Sequence, residues 1–467
     1  MGIMSLVKIR PSRKSTVTIR RFGGINLKAD GNAGGNAYAE FSYNFDMGGG
    51  DLKSGIGADL LCTPLPERPS GIWFYRRDNS LTGDCDDRII IMGRSGKFYE
   101  SGLNPIGNFT QIAGLNFSSE PIGVCYNYHG IDSIIFASAA GGAYIYDGTA
   151  VTEIENAPPI SSACIHYERL FATSDGGKSL WFSDDFDPLN WSVSLTEAGF
   201  IDMSGSRGEA LKVMSFADAL FVFRSYGITK VSAYGDQTQF AVSDLFLSSG
   251  KIFRDSVTYC GDRILFMSSD GFYSFNGVSA TRILSGLDGV VDYSYQEVKG
   301  EYFNGKAYFI VKAVHDESEY LCLLVYDVAK GDCFLSYGMN VKHLCLLSGK
   351  NNYALTALSG TRSGIYSITE KDDFMSQPLK KLWKSKFCDF GLAKENKVLS
   401  KISFYTDTDI TLTVDNGSQT AVYTVCGGRR RKTIAPKMLG DNFSLEIYTE
   451  KKDARVSAMT LEFEYYR

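Results

Sequence analysis

At 467 residues the chain is too long for one small core, and two or three domains are expected. Its 44% hydrophobic and 13% aromatic residues, with 48 glycines against 11 prolines, suit many short strands joined by tight turns. A net charge of −5 argues against a dedicated nucleic-acid binder, and no run approaches the roughly 20 apolar residues of a membrane-spanning helix.

Residues 1–68 read as a basic, glycine-rich N-terminal arm with lead-in strands. No acidic residue precedes Asp30, whereas Lys8, Arg10, Arg13, Lys14, Arg20, Arg21 and Lys28 are all cationic. These cations mark a candidate assembly arm, with residues 1–28 expected to dock on an adjacent subunit or adaptor. The opening MGIMSLVKIRPSRK lacks the apolar centre of a signal peptide, so a cytoplasmic origin is expected. One strand of this segment is a candidate to close a ring of blades.

Residues 69–378 carry an internal repeat. An apolar strand, a small polar turn and an aromatic strand recur as RIIIMGRSGKFYES, SIIFASAAGGAYIYDG, RLFATSDGGKSLWFSD, ALFVFRSYGITKVSAYG and RILFMSSDGFYSFNG, with two looser copies before Pro378. Successive copies begin roughly 37 to 52 residues apart, close to the period of a four-stranded propeller blade. A short strand precedes each copy, and Asp147-Gly148 or Asn276-Gly277 turns lead into a polar outer strand. The fold class expected is all-β: a β-propeller of about seven blades, with six or eight as the neighbouring counts. Two unrelated β-sandwiches are the competing arrangement.

Residues 379–467 change pattern. Alternation in ISFYTDTDITLTV and MTLEFEYY predicts strands with one wet face, and a C-terminal β-sandwich is expected. A basic turn within it, Arg429-Arg430-Arg431-Lys432, is a candidate contact for a partner or for channel DNA, a protein contact or solvent being favoured. A conduit that lets DNA slide should not grip phosphate strongly.

Chemistry is sparse. The four histidines, 129, 166, 315 and 343, show no metal-ligand spacing, and the ten cysteines form no CxxC pair. The cysteines read as reduced, buried small hydrophobes. Gly176-Gly177-Lys178-Ser179 lacks the upstream glycine of a phosphate cradle, and Asp389-Phe390-Gly391 stands without the other kinase motifs. Asp84, Asp86 and Asp87 do not have EF-hand spacing and read as a solvated loop. The turn Ser183–Trp191 is similar to the aspartate box of sialidase-type propellers. There Asp184, Asp185, Asp187 and Trp191 would form a structural turn, with carboxylates capping backbone N–H groups and the tryptophan packing inward. No catalytic, cofactor-binding or metal residue is assigned, and a non-enzymatic protein is expected.

Several segments then resemble one family. RFGGINLKAD followed by NFDMGGGDLKSGIGADLL looks like the opening of phage tail proteins, and ERLFATSDGGKSLWFSDDFDPLNW, FVFRSYGITKV and LWKSKFCDFG…KVLSKISFYTD are similar to later segments in the same order. The likeness is to the tail hub, or nozzle, of short-tailed phages, also called the packaged-DNA stabilisation protein. The resemblance implies a structural virion protein made in the host bacterial cytoplasm and located in the tail. It implies a ring, commonly a hexamer, below portal and adaptor proteins. The ring would extend the channel for double-stranded DNA without reading its sequence, retain the genome and anchor tail spikes or fibres. A minor tail protein of a long-tailed phage, a glycan-binding or sialidase-like propeller and a cellular scaffold are the alternatives.

Overall fold

The computed structural model describes residues 13–465 except 30–31, 34–35, 79–84, 175, 195, 350–351 and 393–396. Each repeat copy supplies the second and third strands of a four-stranded antiparallel sheet, and the short strand before it supplies the first. Blade 1 comprises Pro69–Tyr75, Arg88–Gly93, Lys97–Gly102 and Thr110–Asn116. Blades 2 to 6 follow in the same meander, beginning at Ile122–Tyr128, Ser162–His166, Ala210–Phe216, Thr258–Tyr259 and Gly300–Phe303. The turns are as tight as their sequences imply. At Gly96, φ is +86° and a Cβ would lie 2.3 Å from the Phe117 carbonyl oxygen, so a side chain there is excluded.

Blade 7 is composite. Val341–Gly349, Asn352–Ser359 and Ile365–Thr369 are joined by Gly57–Cys62 from the front of the chain, with Ile365 opposite Cys62 and Thr369 opposite Gly57. Its inner strand touches that of blade 1, which closes the circle. The chain therefore forms a β-propeller with seven blades among the described residues.

Stacking explains the composition of the second strands. Arg169–Thr173, Ala219–Arg224 and Ile264–Ser268 are buried along their whole length, because each blade meets a neighbour on both faces. Separate apolar clusters fill the gaps. Ile90, Phe98 and Phe136 lie between blades 1 and 2, Phe171 and Val222 between 3 and 4, and Phe223 and Phe266 between 4 and 5. Tyrosine hydroxyls cross the same gaps: Tyr75 donates to the Asp132 carbonyl at 2.6 Å and Tyr126 to that of Glu168 at 3.2 Å.

The second unit is a sandwich of two seven-stranded sheets. One is ordered Gly428–Ile434, Lys397–Thr406, Arg455–Tyr465, Leu52–Ser54 and Phe45–Asp46, with Arg13–Ile19 also paired to Arg455–Tyr465. The other is ordered Arg21–Ile25, Asn36–Tyr43, Lys381–Ser385, Ser444–Thr449, Ile410–Asp415 and Thr420–Val425. Part of the candidate assembly arm of residues 1–28, Arg13–Ile19, is an ordered strand of this sandwich. Arg13 is registered against Tyr465 and Ile19 against Met459, so this segment is spent on pairing within its own chain. The physical reason is the alternation in Ser15-Thr16-Val17-Thr18-Ile19, which supplies a half-buried strand for the open flank of Arg455–Tyr465. Lys8 and Arg10 lie outside the described residues.

Asn44 binds the two units together, and Trp383 anchors one sheet within the sandwich. Asn44, buried and left-handed at φ 59°, donates to the carbonyls of Tyr337 and Lys380, each at 2.7 Å, and accepts from the Tyr337 N–H at 2.8 Å. Trp383, fully buried, meets the Phe22 ring edge-on at 5.1 Å and donates its indole N–H to the Gly23 carbonyl at 3.2 Å.

Candidate functional site

Three features stand out on this scaffold: the propeller axis, an aspartate-rich rim and a basic sheet edge. The inner strands line an open axial pocket of about 340 Å³, bordered by residues such as Trp73, Gly123, Lys212, Glu301 and Leu344. Gly123 permits it: a Cβ there would lie 2.6 Å from the Trp73 ring. At the cavity Glu120 accepts from Lys299 at 2.5 Å and lies 3.1 Å from His343 Nδ1, which is itself 3.0 Å from Lys299 Nζ. Desolvation would raise the Glu120 carboxyl, but the His343 hydrogen bond and the Lys299 charge hold it below its ordinary value. Asp255 is likewise held low by Arg254 against the opposing effect of desolvation. Burial pushes the Glu301 carboxyl up and the Lys212 ammonium down.

The axis is thus a narrow polar space whose cations and carboxylates face one another. A cavity of this volume accommodates at most a small molecule. A DNA duplex, whose major groove alone is about 12 Å wide, does not pass through it. These lining residues were not singled out from sequence. Each is a solitary charge in a short strand, and only the break in apolar pattern in LKVMSF and GEYF marks two of them.

At the rim of blade 3 the aspartate-rich turn has the capping geometry of a folding element. Asp184 Oδ1 accepts from the N–H groups of Asp185 and Glu197, both at 3.0 Å, and Oδ2 accepts from the Asn190 amide at 3.2 Å. Asp187 accepts from the Leu189 N–H at 3.1 Å. Trp191 is buried, its indole donating to the Pro188 carbonyl at 3.0 Å. Arg169, also buried, lies at the centre of the turn, 3.1 Å from Asp185 and 2.7 Å from Glu197, and donates to the Ser183 and Glu197 carbonyls. Burial raises the Asp185 carboxyl, Arg169 opposes this, and Glu197, Glu168 and Asp184 add to the rise. Around this acidic turn three aromatic side chains face solvent: Phe186 at 68% exposure, Tyr234 at 72% and Tyr167 at 44%. The Tyr167 and Tyr234 rings meet edge-on at 5.2 Å, and the Phe186 N–H reaches the Glu168 carbonyl at 3.2 Å.

The basic run lies on the strand Gly428–Ile434, at the end of its sheet. The preceding strand, Thr420–Val425, ends the other sheet, so both strands at this corner present an unpaired edge among the described residues. Arg429 and Arg430 are exposed and have no ion pair or hydrogen bond among the described residues. Arg431 donates to Thr460 at 2.5 Å and lies 5.9 Å from the centre of the Tyr405 ring, and Lys432 donates to the Gly427 carbonyl at 3.1 Å. Of the N-terminal cations, Lys14 pairs with Glu464 at 2.9 Å, and Arg13, Arg20 and Arg21 are exposed.

Two smaller constellations bring polar and titratable side chains together. His166 Nδ1 lies 2.8 Å from Ser215 Oγ across the gap between blades 3 and 4. Its buried Nε2 has no hydrogen-bond partner, so the carboxylate that would orient a catalytic dyad is missing from this pair. Asp78, Cys85 and Asp87 bring ligand-type atoms within 4.8 Å of one another. Asp87 already accepts from the Cys85 thiol at 2.8 Å and the Arg77 N–H at 2.9 Å, and Asp86 pairs with Arg77 and Arg88. Asp84 lies outside the described residues. Cys62, Cys260, Cys322 and Cys345 are buried free thiols, whereas Cys426, beside the basic strand, is exposed.

No protein-family model and no curated protein matches the chain. Among solved structures, BBS1N in complex with ARL6DN is similar over 66% of this chain and 95% of its own length, at 12% identity and a TM-score of 0.41. PorZ, a surface component of the type-IX secretion system of Porphyromonas gingivalis, is similar over 79% of this chain and 46% of its own, at 11% identity and a TM-score of 0.41. Raptor from Chaetomium thermophilum is similar over 68% and 29%, at 9% identity and a TM-score of 0.43. These likenesses concern fold alone.

Proposed function

We propose that the chain is a structural virion protein, a tail hub or nozzle subunit that assembles with copies of itself into a ring. In this reading the ring, commonly a hexamer, sits below portal and adaptor, helps retain packaged DNA and anchors spikes or fibres. The observation that carries the reading joins sequence to structure. RFGGIN and LWKSKFCDFG, the two ends of the family-like pattern, meet in space where Phe22 and Gly23 contact Trp383. These two motifs therefore lie in one sheet of the sandwich, as expected if that unit is part of what the family shares. The narrow axis adds a constraint: DNA would run between subunits and not through a propeller.

Negative-stain imaging and mass photometry of the purified chain test this, with closed rings as the expected result. Immunogold labelling of particles should place the protein at the tail. A chain that stays monomeric at high concentration and is absent from particles would overturn the reading. The glycan-binding alternative draws on the aspartate-rich turn and the exposed aromatics, but Arg169 in that turn is already occupied by Asp185 and Glu197.

A further inference from the structure

The rim of blades 3 and 4 and the outer corner of the sandwich carry charge of opposite sign that the chain leaves largely unanswered. At the rim, Asp185 and Glu197 pair with Arg169, Glu168, Asp184 and Asp187 lie close by, and Phe186, Tyr167 and Tyr234 are exposed beside them. Large aromatic side chains held open to water beside carboxylates form a surface suited to guanidinium groups. The ring faces attract a cation, and the carboxylates accept its N–H donors. At the corner, Arg429 and Arg430 project from an open strand edge with no partner among the described residues. Arg431 lies over Tyr405, so the same strand already makes the arginine-on-aromatic contact once within the chain.

We infer that the Arg429–Lys432 edge of one subunit docks on the aromatic, acidic rim of blades 3 and 4 of another copy. The inference rests on the self-assembling reading above and names the surfaces that would carry it. Complementary charge selects a second copy as occupant, because both halves of the contact are present on every chain. The two surfaces are different patches, so the contact is head-to-tail. Such contacts repeat from subunit to subunit and close into a ring when the rotation permits. Arginine and tyrosine are also the residue types that dominate binding energy at protein interfaces. Phosphate is the competing occupant of the basic edge, but it leaves the acidic aromatic rim without a role.

The test uses the full-length chain in three forms: wild type, an edge variant (Arg429→Glu with Arg430→Glu) and a rim variant (Glu168→Lys with Tyr234→Ala). Unfolding curves first establish that both variants fold. By mass photometry the wild type should assemble. Its assembly should weaken at least tenfold between about 0.1 M and about 1 M salt, where the Debye length falls from about 10 Å to about 3 Å. Each variant alone should be monomeric. Mixed together they should form one-to-one dimers that grow no further, since each retains the surface the other lacks. Wild-type rings with undiminished assembly of both variants would overturn the inference and leave the ring reading standing. So would an edge variant that assembles normally but loses retention of duplex DNA. A monomeric wild type would overturn both.

Discussion

Lys381 and Asp372 face each other at 2.7 Å where the last blade passes into the sandwich, with side chains 0% and 4% exposed. The lysine also donates to the carbonyls of Leu379 and Lys451, and Asp372 accepts from the Asp453 N–H at 3.1 Å. Desolvation would raise the Asp372 carboxyl, but the hydrogen bonds from Lys381 and Ser54 and the lysine charge hold it below its ordinary value. A carboxyl with a lowered folded-state pKa stabilises the fold above its unfolded value of about 3.9 and loses that contribution as pH falls through the folded value. Acid titration of the wild type should therefore show a loss of stability below about pH 4 that Asp372→Asn lacks. At neutral pH the same substitution leaves a buried ammonium without its counter-charge and should cost about 3–5 kcal/mol in urea unfolding.

Asn44 should tolerate no replacement well. Its amide substitutes for a neighbouring strand by exchanging hydrogen bonds with both backbone groups of Tyr337. Asn44→Ala leaves two part-buried carbonyls and one N–H without this partner, and should cost about 1–3 kcal/mol. Asn44→Asp keeps the acceptor but loses both donations, so it should also destabilise. Equal stability of all three proteins in urea would contradict this account.

The gap between blades 1 and 2 offers a test of radial stacking. Phe136 is fully buried and meets the Trp73 ring at 5.3 Å and the Phe98 ring at 4.9 Å. Phe136→Ala should cost about 3–5 kcal/mol. Replacing the exposed Val278 by Ala should be nearly silent, because it stands 73% exposed at a blade turn. Thermal melts of the two variants provide the comparison.

His166 predicts a mild acid sensitivity nearer neutrality. Burial lowers its pKa, while Asp218 and Glu168 partly oppose the shift. The folded protein therefore takes up this proton less readily than the unfolded chain, whose value is about 6.5. Stability should decline as pH falls from about 7 through the folded value, and His166→Gln should flatten that slope. Melting temperature measured at intervals between about pH 5 and pH 8 reads it directly.

The repeat in the middle of the chain was legible because a blade is a local object. Strands such as Arg88–Gly93 and Lys97–Gly102 are separated only by a three-residue turn, and turn chemistry and apolar pattern announce both. The aspartate-rich turn was legible for the same reason: Asp184, Asn190 and Trp191 lie close in sequence. The fate of Arg13–Ile19 was not. Its alternation marks a strand, but its partner is Met459–Tyr465, and nothing local says which distant edge is free. The axial charges were hidden likewise, since Glu120, Lys299 and His343 converge only when three blades close on the axis. The basic run was visible as composition, whereas its position on an unpaired edge depends on the order of strands in the finished sheet.

Gly57–Cys62 must find Ile365–Thr369, and Arg13–Ile19 must find Met459–Tyr465, so the earlier strand of each pair waits for a partner made several hundred residues later. At roughly 5–20 residues per second that delay is on the order of tens of seconds, during which both bodies stand open. Maturation is thereby tied to the arrival of Arg455–Tyr465: a chain cut before that strand would also leave Arg13–Ile19 without its partner.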